Sequence, residues 1–210
     1  MSDNQGCQLY LISPLETGGD FPQRLRSALE AGPVAAFQFR VKDIGHEEAA
    51  RLGGPLKAIC DEFDVAFIVN DDIALARQLA ADGVHLGQSD EKLKNARAEL
   101  GDDIQIGITC HDSRHLAMEA GEGGANYVAF GAFFPTQTKE TFHTPELDIL
   151  QWWSAMMEIP CVAIGGITPD NCQPLIDAGA DFLAVSGAVW NDSEGPAHAV
   201  QRFTEILENS

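Results

Sequence analysis

The sequence predicts an α/β fold of the (β/α)8 TIM-barrel class, formed by a single domain over residues 1–210. Eight short apolar runs alternate with eight segments of helical spacing, as in a series of βα units. The apolar runs are nearly continuous, which is typical of parallel strands covered on both faces. The length of 210 residues is near the lower limit for this fold, so the loops must be short.

The apolar runs are rich in β-branched and aromatic residues and are predicted to be strands. They are Gln8–Ile12, Val34–Phe39, Val65–Val69, Val84–Leu86, Ile104–Ile108, Tyr127–Phe130, Cys161–Ile164 and Phe182–Val185. The predicted helices are Phe21–Ala31, Glu47–Glu62, Ile73–Ala80, Glu91–Leu100, Ser113–Ala120, Ile149–Met157, Pro169–Ala178 and Pro196–Leu207. An open doubly wound sheet has a similar alternation, but no GxGxxG element follows the first strand, which favours the barrel.

The composition argues against several classes of partner. The chain carries 13 basic and 32 acidic residues, and its net charge of −19 repels nucleic acid and anionic membranes. Its five cysteines include no CxxC pair, so buried thiols are expected rather than disulfides or a zinc site. The sequence has neither a signal-peptide pattern nor an apolar run of membrane-spanning length, so a cytoplasmic protein is expected.

In a barrel, the residues that directly follow each strand face the active site. After the second strand, Gln38, Arg40 and Lys42 share one side of an extended segment. Arginine and lysine are suited to phosphate oxygens. The alternative is an exposed strand end with an internal ion pair to Asp43. Because the three side chains alternate at a barrel mouth, anion binding is the preferred interpretation.

Carboxylates follow the third and fourth strands. Asn70 and Asp71 come directly after the third strand, and Asp90 comes shortly after the fourth. Asp71 and Asp90 can share a cation, since Mg2+ is typically held by one or two carboxylates plus substrate phosphates. The alternative is that these residues cap the helices that follow them. His85, inside the fourth strand, is interpreted as a packed or hydrogen-bonded core histidine.

Hydroxyl groups and one lysine follow the fifth and sixth strands. Thr109 is a candidate donor to phosphate. The adjacent pair Cys110-His111 is a weak candidate for a nucleophile and base, because neighbouring residues of an extended chain point apart. Thr136, Thr138 and Lys139 lie in one polar loop and are expected to bind anionic groups.

Glycine pairs and small residues follow the last two strands. Gly165 and Gly166 follow the seventh strand, and Ser186 and Gly187 follow the eighth. Many barrels bind phosphate at this place through backbone N–H groups, assisted by a helix N-terminus. Glycine permits the close backbone approach that such a site requires. The two loops together predict a second anion site.

Taken in order, these motifs resemble those of the thiamine phosphate synthase (thiamine-phosphate pyrophosphorylase) family, and the resemblance covers nearly the whole chain. The matching segments are QFRVKD at 38–43, ND at 70–71, HLGQSD at 85–90, GITCH at 107–111, PTQTK at 135–139, IGGI at 164–167 and the strand end that contains Ser186.

The resemblance implies a Mg2+-dependent transferase of thiamine biosynthesis. Such an enzyme couples 4-amino-2-methyl-5-hydroxymethylpyrimidine diphosphate with 4-methyl-5-(2-phosphoethyl)thiazole, or its carboxylate, and releases thiamine monophosphate and pyrophosphate. The residues matching the pyrimidine diphosphate site are Gln38, Arg40, Lys42, Asn70, Thr109 and Lys139. Arg40, Lys42 and Lys139 are the expected catalytic residues, and Asp71 and Asp90 match the Mg2+ ligands. The thiazole phosphate side is matched by Thr136, Thr138, Gly166, Ser186 and Gly187.

The chain departs from the family after Lys139, where the family continues to a Pro-x-Gly-Leu element. Here residues 140–150 read ETFHTPELDIL, without glycine, which bears on the loop conformation and on the form of the thiazole substrate. Two alternatives are a thiazole tautomerase-like barrel and a non-catalytic thiamine-precursor binding protein. Asn70, Asp71 and Asp90 favour the synthase. A homo-oligomer is possible, because one ring of Trp152-Trp153 is expected to face a partner or a neighbouring helix.

Overall fold

The computed structural model describes residues 6–88, 90–136 and 143–210. In these residues eight parallel strands form a closed barrel in sequence order, and β8 pairs with β1. The strands are β1 Gln8–Ile12, β2 Ala36–Phe39, β3 Ala66–Asn70, β4 Gly83–Leu86, β5 Gln105–His111, β6 Tyr127–Gly131, β7 Cys161–Ile164 and β8 Phe182–Val185. The predicted (β/α)8 barrel is confirmed.

Helices follow the strands and cover the outside of the barrel. They are α1 Phe21–Glu30, α2 His46–Glu62, α3 Ile73–Gln78, α4 Asp90–Leu100, α5 Arg114–Glu122, α6 Asp148–Met156, α7 Gln173–Asp177, α8 Gly187–Trp190 and α9 Pro196–Leu207. The sequence spacing does not predict α8, because four residues are too few to show a helical period. Among the described residues, no helix is long and apolar enough to cross a membrane.

The helix between β7 and β8 is shorter than the sequence predicts. The pattern predicts a helix start at Pro169, whereas α7 begins at Gln173. The side chain of Asn171 accounts for the difference: its Oδ1 accepts a hydrogen bond from Thr168 N at 2.8 Å, and its Nδ2 donates to Gly166 O at 3.0 Å. These bonds offer the backbone a turn in place of a helix, so the helix starts later.

Alternate residues along each strand face opposite sides of the barrel wall. The inner side holds a compact cluster made of Tyr10, Ile12, Ala36, Ile68, Tyr127, Ala129, Val162 and Ala184. The outer side packs larger side chains such as Phe37, Phe67 and Trp153 in a separate cluster with the helices. Small inner residues make room for large ones: a Cβ on Gly107 would lie 1.9 Å from the ring of Tyr127, its partner across β5 and β6.

The amino-terminal ends of the strands form the lower end of the barrel, where polar side chains form hydrogen bonds with backbone groups. Asp82, Asn126 and Asp181 precede β4, β6 and β8. Each accepts a hydrogen bond at 2.8 Å from a backbone N–H of the preceding strand. Arg97 of α4 donates to Asn126 Oδ1 at 2.7 Å and to the carbonyl oxygens of residues 101, 102, 104 and 124. The polar side chains at the lower end of the barrel therefore stabilise the fold.

The two adjacent tryptophans of α6 both contact other parts of the chain. Trp153 is buried, and its Nε1 donates to Ile159 O at 2.6 Å. Trp152 lies beneath the guanidinium of Arg114 on α5, 4.9 Å from the ring centre, and Arg114 pairs with Asp148 at 2.8 Å. One ring therefore faces a neighbouring helix, and a homo-oligomer stays a prediction.

Candidate active site

The carboxyl ends of the strands form the upper end of the barrel, where the main chain of Arg40 is tightly held. Ser13 directly follows β1 and is fully buried. Its Oγ accepts a hydrogen bond from Arg40 N at 2.9 Å and donates to Arg40 O at 3.2 Å. The Ser13 N–H donates to Gln38 O at 2.9 Å. These bonds fix the strand end from which Arg40 projects.

The side chain of Arg40 has a donor without an acceptor. Its Nη1 is buried and has no hydrogen-bond partner among the described residues. Burial lowers the pKa of Arg40, and the nearby Asp71 carboxylate acts in the opposite direction. A guanidinium nevertheless stays protonated in proteins, so this charged donor requires an acceptor. The upper end of the barrel therefore offers a charged, partly buried donor to an anion.

The alternative of an ion pair to Asp43 finds no support in the structure. No ion pair between described residues joins Asp43 to Arg40 or Lys42. Lys42 is exposed two residues beyond Arg40. Both cations therefore remain available at the mouth of the barrel.

The carboxylate of Asp71 is oriented by the ends of β3 and β4. Asp71 has a left-handed backbone, with φ of 61°, and its N–H donates to His85 O at 2.8 Å. Its Oδ1 accepts from Gly87 N at 3.2 Å, and its Oδ2 accepts from Asn70 Nδ2 at 2.9 Å. An ionised carboxylate has about four acceptor sites, so both oxygens keep capacity for a further ligand.

The capping alternative for Asn70 and Asp71 is wrong, because another residue caps α3. The Oδ1 of Asp72 accepts a hydrogen bond from Leu75 N at 2.8 Å. Asp71 is therefore free of that role, and its hard oxygens are ligands of the kind that Mg2+ prefers. Asp90 begins α4, shortly after Gly87. Its side chain lies outside the described part of the structure, so the carboxylate pair stays a prediction.

A chain of buried polar side chains crosses the inside of the barrel below Arg40. Gln38 Nε2 donates to Tyr10 Oη at 2.9 Å, and Tyr10 Oη lies 3.0 Å from Tyr127 Oη. His85 Nδ1 lies 3.1 Å from Tyr127 Oη, and His85 Nε2 lies 2.8 Å from Thr109 Oγ1. His85 is thus the hydrogen-bonded core histidine that the sequence predicts. Two predicted ligands of the pyrimidine diphosphate, Gln38 and Thr109, form the ends of the chain.

The pair Cys110-His111 does not have the properties of a nucleophile and base. Cys110 is fully buried, and burial raises the pKa of its thiol to about 12. A protonated thiol is a poor nucleophile. His111 stacks on His143, with ring centres 4.7 Å apart, and His143 Nδ1 lies 3.0 Å from Asp112 Oδ1. The five cysteines are free thiols, four of them buried, as the composition predicts.

Gly165 and Gly166 have left-handed backbones, and other residues of the chain pack closely against both. A Cβ on Gly165 would lie 2.2 Å from Ala132 Cβ, and one on Gly166 would lie 2.4 Å from Pro135 O. The glycines therefore let the loop after β7 pack against the loop after β6. This packing brings Thr136, the residue after Pro135, to the neighbourhood of Gly166.

The loop after β8 leads into the one-turn helix α8. Ser186 is the residue before this helix, and Gly187 is its first residue. Ser186 Oγ donates to Ser13 O at 3.5 Å, which links the ends of β8 and β1. The first N–H groups of a helix have no partner within it. Thr138 and Lys139 fall at residues 137–142, outside the described residues, so their roles stay predictions.

Three polar residues of the upper barrel are missing from the sequence-based site. Ser13 and Thr17 belong to the segment after β1, and Tyr10 lies within β1. Thr17 is 2% exposed, and its Oγ1 has no partner among the described residues. The rule that strand ends face the site finds Ser13 when it is applied to β1. For Tyr10, the signal is a hydroxyl within a buried strand, which requires a partner.

Comparison with known proteins places the chain in a family. The family model for thiamine monophosphate synthase matches residues 9–189. The chain belongs to this family. It is 67% identical over 204 residues to the thiamine-phosphate synthase of Erythrobacter litoralis (strain HTCC2594), with 95% of each chain covered. It is 52% identical to the thiamine-phosphate synthase of Rhodospirillum centenum (strain ATCC 51521 / SW), with 96% of this chain and 98% of the relative covered.

A solved structure of a related enzyme has the same fold. The thiamine phosphate pyrophosphorylase from Pyrococcus furiosus superposes with a TM-score of 0.86 at 31% identity, and 98% of each chain is covered. The family resemblance that the sequence motifs indicate is confirmed.

Proposed function

We propose that the protein is a transferase that makes thiamine monophosphate. It couples 4-amino-2-methyl-5-hydroxymethylpyrimidine diphosphate with 4-methyl-5-(2-phosphoethyl)thiazole, or its carboxylate, and releases pyrophosphate, together with CO2 when the carboxylate is the substrate. Membership of the thiamine monophosphate synthase family supports this reaction. The observation that carries the proposal is the buried Nη1 of Arg40 beside Asp71, which has no partner among the described residues and which a diphosphate would satisfy.

The reaction exchanges one bond at the pyrimidine methylene carbon. The C–O bond to the diphosphate breaks, and its electron pair leaves with pyrophosphate. The pyrimidine ring stabilises the resulting methylene cation, and the thiazole ring nitrogen donates its electron pair to that carbon. Such a reaction requires positioning and stabilisation of the leaving group, without a covalent nucleophile. The buried, protonated thiol of Cys110 is consistent with this requirement.

Cations at the upper end of the barrel bind the departing pyrophosphate. Arg40 presents two donors in a planar fork, and Lys42 and Lys139 present point charges. Charge–charge hydrogen bonds of this kind strengthen as negative charge collects on the leaving group. The chain as a whole has a net charge of −19, so binding of a diphosphate depends on these few local cations and on the proposed Mg2+.

Asp71 and Asp90 are the residues proposed to hold Mg2+, with substrate oxygens and water as the other ligands. The oriented, exposed carboxylate of Asp71 fits a hard cation. When bound, the ion supplies charge neutralisation for the diphosphate. Asn70 keeps Asp71 in position through its side-chain amide.

The thiazole phosphate is proposed to bind on the opposite side of the mouth. Gly166, Ser186 and Gly187 would supply backbone N–H groups, and Thr136 and Thr138 would supply hydroxyls. The contact between the loops after β6 and β7 supports this grouping, because it brings Thr136 close to Gly166. Gly187 begins α8 shortly after β8, the strand that pairs with β7, which supports grouping it with Gly166.

A coupling assay tests the proposal. The purified protein, given both substrates, is expected to form thiamine monophosphate with Mg2+ and not after chelation with EDTA. Restoring Mg2+ should restore turnover. Absence of product with Mg2+ would contradict the synthase, and isomerised thiazole without coupling would indicate the tautomerase alternative. Product formed equally in EDTA would contradict the metal proposal alone.

A further inference from the structure

With the Gln38 amide oriented as in the structure, Nε2 towards Tyr10, the buried polar chain inside the barrel has a single consistent direction. Gln38 Nε2 can only donate, so Tyr10 Oη accepts from it. The Tyr10 hydrogen then requires its own acceptor, and Tyr127 Oη is the neighbour that can provide it. Tyr127 in turn donates to His85 Nδ1. With Nδ1 as the acceptor, the neutral imidazole carries its hydrogen on Nε2, which donates to Thr109 Oγ1.

The opposite direction leaves a buried donor unsatisfied. If Thr109 donated to His85, and His85 to Tyr127, then Tyr127 would donate to Tyr10. Tyr10 Oη would then accept twice, and its own hydrogen would have no acceptor among the described residues. Tyr10 is 3% exposed, so water does not readily replace the missing partner. An unsatisfied buried hydroxyl is unfavourable, which selects the first direction.

This direction determines what the two ends present to a ligand. Gln38 uses its amide nitrogen inside the chain, and its Oε1 has no partner among the described residues, so it offers an acceptor. The hydroxyl of Thr109 accepts from His85, and its hydrogen, which has no acceptor among the described residues, can donate to a ligand. An aminopyrimidine diphosphate has a matching donor in its amino group and matching acceptors in its phosphate oxygens.

We propose that Tyr10, Tyr127 and His85 form a positioning relay that fixes Gln38 as an acceptor for the pyrimidine amino group and Thr109 as a donor to the diphosphate. The relay rests on the proposed coupling reaction and adds three positioning residues to it. All three side chains are buried, so they act on the substrate through Gln38 and Thr109. They prevent the Gln38 amide from flipping and the Thr109 hydroxyl from rotating. Without them, the entropic cost of fixing these two groups would reduce the affinity for the substrate.

Two substitutions of His85 separate positioning from stability. In His85→Asn, the amide reaches the place of Nδ1, so Tyr127 keeps a partner while Thr109 loses its donor. In His85→Gln, the amide reaches the place of Nε2, so Thr109 keeps its donor while Tyr127 loses its acceptor. The relay predicts that His85→Asn keeps its unfolding temperature and loses about tenfold or more in kcat/KM for the pyrimidine diphosphate. In His85→Gln the unfolding temperature should fall, because Tyr127 loses its acceptor, and kcat/KM should fall as well, because the direction of the chain that fixes Gln38 is lost.

Tyr10→Phe tests the other end of the relay. The ring packing is kept, but the Gln38 amide loses the acceptor that fixes its orientation. Here kcat/KM for the pyrimidine diphosphate should fall about tenfold, while KM for the thiazole phosphate changes by less than about twofold. A general loosening of the barrel would raise both KM values together.

The outcomes distinguish the relay from the reaction itself. If the unsubstituted protein makes no thiamine monophosphate, the proposed function fails. If the unsubstituted protein turns over, but kcat/KM follows the unfolding temperature in His85→Asn and His85→Gln alike, the three residues are structural and the relay is wrong. Unchanged kinetics in Tyr10→Phe would also overturn it.

Discussion

The two ends of the barrel use the same residue types for opposite purposes, and two arginines show this. At the lower end, Arg97 donates to the carbonyl oxygens of four residues and to Asn126 Oδ1. At the upper end, Arg40 has a buried Nη1 without a partner among the described residues. The donors of Arg97 are satisfied by other residues of the chain and stabilise the fold, whereas the Nη1 of Arg40 would be satisfied by a bound anion.

The carboxylates differ in the same way. Asp82 and Asp181 at the lower end each accept a backbone N–H from a neighbouring strand. Asp72 at the upper end caps α3, while the adjacent Asp71 is held by Asn70 and Gly87 with its oxygens exposed. Groups that are satisfied within the chain stabilise it, and groups that are oriented but incompletely satisfied are those available to a ligand.

The largest expected effect is the loss of turnover in Arg40→Met. The substitution removes a charged donor from the leaving group, so kcat/KM should fall by about 10²–10³-fold. The unfolding temperature should not fall, because the substitution also removes an unsatisfied buried donor. Steady-state kinetics and thermal denaturation of the same sample measure both quantities. Retained turnover would remove Arg40 from the catalytic residues.

The neighbouring carboxylates provide a matched pair. Asp71→Asn should weaken the apparent Mg2+ affinity in the coupling assay at least about tenfold and leave the unfolding temperature nearly unchanged. Asp72→Asn serves as the control, since it keeps a capping oxygen and should leave the Mg2+ dependence unaltered. Mg2+ titrations of both variants measure the effect. Equal Mg2+ dependence of Asp71→Asn and the unsubstituted protein would contradict the metal site.

Arg97→Met should affect stability and not chemistry. Loss of its hydrogen bonds to the lower loops should reduce the free energy of unfolding by about 2–3 kcal/mol. At a temperature where the variant is folded, kcat/KM should stay within about twofold of the original value. Urea denaturation and steady-state kinetics check the two statements. A selective loss of kcat/KM would mean that the lower end also serves the reaction.

The smallest expected effect is that of Asp181→Ala. The Cys161 N–H loses its side-chain acceptor at the lower end of the barrel. The free energy of unfolding should fall by about 1 kcal/mol. Asp181→Asn, which keeps an acceptor oxygen, should recover most of this loss. Equal destabilisation by both substitutions would indicate that charge, and not the hydrogen bond, is what matters there.

The sequence predicts the fold well because buried parallel strands leave a strong local signal. All eight strands appear near their predicted places, and three match to the residue: Gln8–Ile12, Cys161–Ile164 and Phe182–Val185. The start of α7 is missed, because the side-chain bonds of Asn171 decide it. Helix α8 is also missed, because its four residues are too few to show a helical period.

The candidate site, like the fold, is predicted by the sequence only in part. Strand-end position predicts Arg40 and Asp71, because it depends on chain direction alone. It does not show that Asp72, and not Asp71, caps α3, or that Gly165 and Gly166 pack against the loop after β6. These depend on contacts between loops that are distant in sequence. The relay joins β1, β4 and β6, its two ends lie on β2 and β5, and it leaves no pattern within any single strand.

Calorimetric titration with inorganic pyrophosphate in the presence of Mg2+ tests most directly the claim that the upper end keeps its donors for a diphosphate. We expect the unsubstituted protein and Arg97→Met to bind with similar affinity, and Arg40→Met to bind about 10–100-fold more weakly, as expected for the loss of a charged hydrogen bond. Equal affinity of Arg40→Met and the unsubstituted protein would contradict the claim.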